Sequence, residues 1–273
     1  MAVQLEKLIQ SFEGLWPLDG AEDWDAPGLV SGDLKQRVSR VLLTVDVTAD
    51  ILDEAQDGEF DLVLAHHPYL LRGLQSIAES SAKGALLAKA IRSEIAIYSA
   101  HTNADIVESG VSHALASAIG LSDLRPLVLG SNKNVGHGRV GNLAEPITLG
   151  DFARRVAKVL PATATGVRVA GEFDQVIQKV ALCGGAGDSF ISEAFAAEAD
   201  LFITSDLRHH PTQDAVEQSK INAKPMALMD VSHWASEWVW LEVAAMQLSE
   251  LFPNIQFVVS QIRTDPWEFT VTQ

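Results

Sequence analysis

Six short apolar segments constrain this chain more than anything else in it, because each runs into a polar loop and several are followed by a helix-spaced stretch. They are "RVLLTVDV" (40–47), "FDLVLA" (60–65), "EIAIYSA" (94–100), "QKVALC" (178–183), "ADLFITS" (199–205) and "KPMALMD" (224–230). Near-continuous runs of aliphatic residues at this length read as buried strands. Stretches such as "SAKGALLAKAIRS" and "SFISEAFAAEA" between them carry helical patterns. That alternation predicts an α/β fold with mainly parallel or mixed sheets. The opening segment adds a helix, since Val3, Leu5, Leu8, Ile9, Phe12 and Leu15 recur at roughly helical spacing. A Gly- and Asn-rich stretch at 126–148 interrupts the pattern and reads as a connection between subdomains. The expected division is a first α/β domain of 1–125 plus 227–273 and a second α/β subdomain of 126–226, so that the two interleave.

The 273 residues suffice for one large core or two modest ones. A formal net charge of −16 argues against nucleic acid as a partner, since phosphate contacts need a basic face, and against attraction to anionic membrane. No apolar run is long enough to span a bilayer, and the N-terminal stretch lacks the basic-then-apolar order of a secretory signal. The single cysteine, Cys183, excludes an internal disulfide and any cysteine-based zinc knuckle, and reads as a small buried residue. A reducing, cytoplasmic location is the expectation.

Polar residues collect where the strands stop. His66 and His67 follow the second segment, His101 and Asp105 the third, Asp206, His209 and His210 the fifth, and His233 and Glu237 the sixth. Six of the 8 histidines thus lie within a few residues of a strand's carboxyl end, the crevice where open α/β sheets bind ligands. Taken singly, each has a plainer explanation: a loop histidine, a helix cap in "HTNAD", a surface pair between His233 and Glu237 one turn apart. Taken together they match what borderline divalent metals need, neutral nitrogen donors and anionic oxygens. Five such donors exceed what one open catalytic ion takes and suit two, with a carboxylate such as Glu237 able to bridge. The turn in "ALCGGAGDSFISEAF" lacks the lysine of a Walker motif and the spacing of a dinucleotide fingerprint. Its plain reading is a tight turn with Asp188 or Ser189 as helix cap; its functional reading is a set of backbone N–H groups, around Gly185, Gly187 and Ser189, that receive an anionic part of a substrate.

At this point the chain resembles the Nif-three-like proteins, the GTP cyclohydrolase 1 type 2 homologues. "AEDWDAPGLVSGD" is similar to that family's opening segment, "AHHPYLLRGLQSI" to its double-histidine motif and "SAHTNAD" to its His-Thr-x-x-Asp motif. "TSDLRHH" and "DVSHWASEW" resemble its second-half motifs, with Ser232 standing where glycine is usual. The resemblance implies two interleaved α/β halves with a dinuclear divalent-metal site at the strand ends. It implies that His67 and Asp105 hold one ion, His66 and His233 the other, and that Glu237 bridges them, with His101 nearby as a supporting or proton-transfer group. It further implies a homohexameric ring built from trimers and a metal-dependent hydrolase acting on a small molecule, of which a nucleotide is the example. Arg72 would offset the charge of such a substrate. Metal identity stays open among Zn, Mn, Fe, Co and Ni. A metal-binding regulatory or metal-delivery protein without turnover fits the same donors, and His209 and His210 have no assigned role.

Overall fold

The computed structural model describes residues 2–222 and 224–272, which form two compact units. The first consists of 2–104 and Leu241–Thr264, the second of 105–240 and 265–272. In the first unit a five-stranded sheet runs in the order Gln256–Val259, Arg40–Thr44, Leu62–Ala65, Ala96–Ser99, Gly28–Ser31. The first four strands are parallel and the last is antiparallel to its neighbour. Leu62–Ala65 and Ala96–Ser99 are buried at every position, which is why they read as unbroken apolar runs. The crossover helices Ala49–Asp57 and Ala82–Arg92 start where Thr48 and Ser81 accept hydrogen bonds from Ile51 N–H and Gly84 N–H. Ile51, Leu52, Leu87 and Ala90 on these helices close over Leu42, Val63 and Ile97. Two-residue alternation turns Tyr98 away from Ile97, and its ring meets Phe12 of the Leu5–Leu15 helix at 5.1 Å.

The second unit holds a six-stranded mixed sheet, ordered Arg168–Ala170, Ala227–Val231, Leu201–Ser205, Val176–Ala186, Arg139–Thr148, Leu121–Arg125. Only the two pairings made by Leu201–Ser205 are parallel; the rest are antiparallel. Ala181, Cys183, Phe202 and Leu228 form part of its core with Ala194 and Ala215 from the flanking helices.

All six apolar segments are strands. The Gly- and Asn-rich stretch is more than a connector, since Arg139–Thr148 runs through it as an interior strand. Gly141, Pro146 and an irregular register between Asn142 and Ile147 disguise that strand in the sequence. The divisions expected at 125/126 and 226/227 both fall inside the second unit, where they would part Leu121–Arg125 and Ala227–Val231 from paired neighbours. No helix among the described residues is long and apolar enough to cross a membrane.

Candidate metal-binding site

In the first unit His66 and His67 directly follow the Leu62–Ala65 strand and prolong its ladder, their N–H groups donating to Thr44 O at 3.0 Å and Val45 O at 2.8 Å. The two side chains then part. His66 is fully buried, with Nδ1 2.8 Å from the Ala100 carbonyl. His67 is half-buried, with Nδ1 2.7 Å from the Asp46 carboxylate, whose other oxygen accepts the Thr264 hydroxyl at 2.6 Å. His101 follows the Ala96–Ser99 strand and sets Nδ1 2.7 Å from Asp25. A carbonyl or carboxylate can only accept, so each Nδ1 carries a proton, which leaves Nε2 as the ring's one potential ligand atom. The three rings converge at centroid separations of 5.1, 5.2 and 5.4 Å, and they offer donor atoms within 4.8 Å of one another.

Asp25 is the most strongly tuned carboxylate here. Burial alone would raise its pKa, but hydrogen bonds from His101 and from Thr102 N–H and Oγ1 outweigh burial and hold it down to about 2. It is therefore an anion at any working pH, and it fixes both the tautomer and the direction of His101. The exposed Trp24 stands edge-on to that imidazole at 5.8 Å.

In the second unit His233 opens the helix His233–Leu251 just past the Ala227–Val231 strand. Ser232 caps it, accepting from Ala235 N–H at 3.2 Å while donating to Asp265. The serine in place of glycine thus has a local purpose. One turn on, Glu237 is buried, with Oε1 3.0 Å from His233 Nε2, and Asp206 takes His233 Nδ1–H at 2.6 Å. Asp206 sits at φ 56°, a left-handed conformation that Asp tolerates better than most residues. Burial works against charge on His233, yet the Glu237 and Asp206 carboxylates hold its pKa up to about 11. A proton is thereby kept on Nε2, between a nitrogen and an oxygen that could both serve a cation. The backbone leaves room for this pair: Gly185 adopts φ +68°, and a Cβ there would lie 2.4 Å from Glu237 Oε1.

The remaining sequence candidates are placed as follows. Asp105 ends the short Thr102–Asp105 helix, and the buried Arg139 braces the chain beyond it by donating to the carbonyls of Val107, Gly136 and Gly138 at 2.5 to 2.8 Å. The Gly185 N–H is taken by Ser236 Oγ at 2.9 Å. Neither Asp188 nor Ser189 caps a helix: Gly187 stands at the cap position without a side-chain bond, and Asp188 instead pairs with Arg208 at 2.5 Å. Arg72 is exposed on the irregular segment after the double histidine. His209 and His210 are exposed at the start of the helix His209–Ile221, ring against ring at 5.2 Å. Cys183 is buried, and burial pushes its thiol up to about 12, so it behaves as a small apolar residue. Sequence reading passed over Asp25 and Asp46 as partners of histidines. The available signal was an acid just beyond a strand in "TVDV" and just before one in "WDAPG".

Imidazoles with Nδ1 tethered, a buried carboxylate and a glycine that leaves space for it fit a borderline divalent metal. The family model described as Duf34/NIF3 (NGG1p interacting factor 3) matches residues 3–266. A Streptomyces coelicolor protein named GTP cyclohydrolase 1 type 2 homolog is 43% identical over 271 residues, covering 97% of this chain and 93% of its own. A Clostridium perfringens protein of the same name is 30% identical, covering 98% of this chain and all (100%) of its own. Among solved structures, a Bacillus cereus protein related to NIF3 superposes with a TM-score of 0.89 at 26% identity, covering 98% of this chain and 99% of that one.

Proposed function

The chain belongs to the Duf34/NIF3 family, and from that premise we propose that it is a dinuclear divalent-metal hydrolase of a small, nucleotide-like molecule. The observation that carries the metal-binding part is the tethering of Nδ1 on His66, His67, His101 and His233, by the Ala100 carbonyl and by Asp46, Asp25 and Asp206. Surface histidines have no need of such fixed tautomers; metal-ligating ones almost always have them. In this reading His67 and Asp105 would hold one ion, His66 and His233 the other, and Glu237 would serve both. Bound divalent ions supply what side chains lack at neutral pH, a Lewis acid for a developing oxyanion and a water of lowered pKa.

The chain's own residues do the rest. His101 takes a proton at Nε2 and returns it to the leaving group, while the Asp25 anion keeps Nδ1–H in place and stabilises the imidazolium. Glu237 and His233 share a proton, so together they would hold a cation only once that proton has left, and metal binding would be coupled to its release. Arg72, exposed on its loop, is the cation assigned to a substrate phosphate. The name carried by the relatives points to GTP as the first substrate to try.

The test is metal content by elemental analysis, paired with turnover of GTP and other nucleotides. Substoichiometric metal in the wild type and in a reconstituted sample overturns the metal centre. Turnover lost in His67→Ala and Glu237→Ala, and in His101→Gln with metal retained, is the expected pattern. Full metal loading without turnover of any nucleotide, in the wild type, favours the metal-binding protein without catalysis.

A further inference from the structure

The last described residues, "DPWEFTVT" (265–272), alternate apolar and polar with aromatic and β-branched side chains, the signature of a strand. No strand forms there. Trp267, Phe269 and Val271 are instead 62%, 80% and 77% exposed, three apolar side chains at alternate positions of the segment. Exposed apolar residues in a row of this kind mark a contact surface.

A matching surface lies in the same unit. Among the described residues the strand Arg168–Ala170 pairs with Ala227–Val231 on one side only, which leaves its other edge without a partner strand. Beside that edge runs a groove of about 340 Å³, lined by Leu149, Ala153, Val167, Val169 and Phe173 among others.

The tail is rooted beside this groove and does not enter it. Asp265 is buried, accepts the Ser232 hydroxyl and takes Trp267 N–H at 3.0 Å across a bend at Pro266. Ser232 lines a smaller cavity of about 160 Å³ that shares Ala157 and Val167 with the groove. A two-fold axis near the root would bring each tail within reach of the other copy's groove, since seven extended residues span at most about 24 Å.

We propose that residues 266–272 of one copy add as a strand to the Arg168–Ala170 edge of a second copy, with Trp267 and Phe269 seated in its apolar groove. Strand addition of this sort draws affinity from main-chain hydrogen bonds and register from alternate side chains. A reciprocal exchange buries roughly 1,600 Å² in all, the size of a specific interface.

The test is the oxidised Val169→Cys/Phe269→Cys double variant on a non-reducing gel; the native Cys183 is buried and does not compete. Disulfide-linked pairs of chains are expected. Links confined to single chains, or no links at all, overturn the proposal. As a second readout, Trp267→Ser/Phe269→Ser is expected to weaken self-association at least 100-fold in light-scattering titrations while leaving circular dichroism unchanged, because both side chains are exposed in the single chain. Unchanged association of this variant also overturns it. Metal content plays no part in either readout, so failure here is separable from failure of the metal site.

Discussion

Replacing Gly185 with alanine tests whether the backbone beside Glu237 has been cleared for the site. The residue stands at φ +68°, so any Cβ pays the left-handed penalty of about 1–2 kcal/mol, partly offset by a less flexible unfolded chain. The added methyl would also lie 2.4 Å from Glu237 Oε1 and 3.2 Å from His233 Nε2. Relieving the shorter contact requires the carboxylate to retreat by about 1 Å, an overpacking strain of roughly 1–3 kcal/mol. The sum is about 3 kcal/mol, equivalent to a Tm drop of roughly 6–12 °C in a domain of this size. Gly166 provides the control, since it has φ +60° but nothing within 4 Å of its Cβ position. Gly166→Ala is expected to cost only about 1 kcal/mol, from conformation alone. Thermal unfolding in chelator measures both. Chelator-competition titration then separates them, because only Gly185→Ala moves a donor and is expected to lose about 10–100-fold in metal affinity. If the two variants match in Tm and in metal affinity, the idea that Gly185 makes room for Glu237 is wrong.

Other expectations follow from the same contacts. Asp25 has a folded pKa of about 2 against an ordinary 3.8, so its contribution is present above pH 4 and is lost as pH falls toward 2. Asp25→Asn should therefore be less stable than the wild type by about 2 kcal/mol in urea at pH 6, with the gap closing below pH 3. Cys183, with its thiol pushed up to about 12 by burial, should resist a thiol reagent at pH 8 and react only on unfolding; rapid labelling of the folded protein would contradict its placement. Asp46→Ala removes the acceptor for both His67 Nδ1–H and the Thr264 hydroxyl. Metal affinity should fall about 10–100-fold with the circular dichroism spectrum intact, and an unchanged affinity would remove Asp46 from the account.

What could be read in the sequence divides along a physical line. Strands buried on both faces announce themselves, because burial demands apolar side chains at every position, as in Leu62–Ala65. Edge strands such as Gly28–Ser31 and Arg168–Ala170 do not, since one neighbour suffices to form them and half their side chains meet water. Arg139–Thr148 is hidden for another reason: its second half is largely exposed and carries a proline, so no period survives. The candidate donors were legible because each is a titratable residue just past a strand. The glycine turn misled on capping, because a cap depends on where the first helical turn closes, and here a three-residue turn comes between Gly187 and the helix.

The aspartates that orient the histidines were out of reach of single-segment reading for a definite reason: they are cross-strand partners. Thr44 pairs with Ala65 in parallel register, so residues two beyond each, Asp46 and His67, arrive side by side. Ser205 pairs with Val231 in the same way, and the residues just beyond are Asp206 and His233. Gly28 pairs with Ser99 in antiparallel register, which brings Asp25, ahead of one strand, to His101, beyond the other. Two sheets with different strand orders thus produce one device three times, an acid and a histidine on adjacent strands at the carboxyl end of the sheet. Nothing in core packing requires that repetition, since the sheets close without it. A requirement for imidazoles with fixed Nδ1 protons, each ring held in one orientation, does. The register of the sheets, rather than any one motif, is therefore what turns scattered residues of this chain into candidate metal ligands.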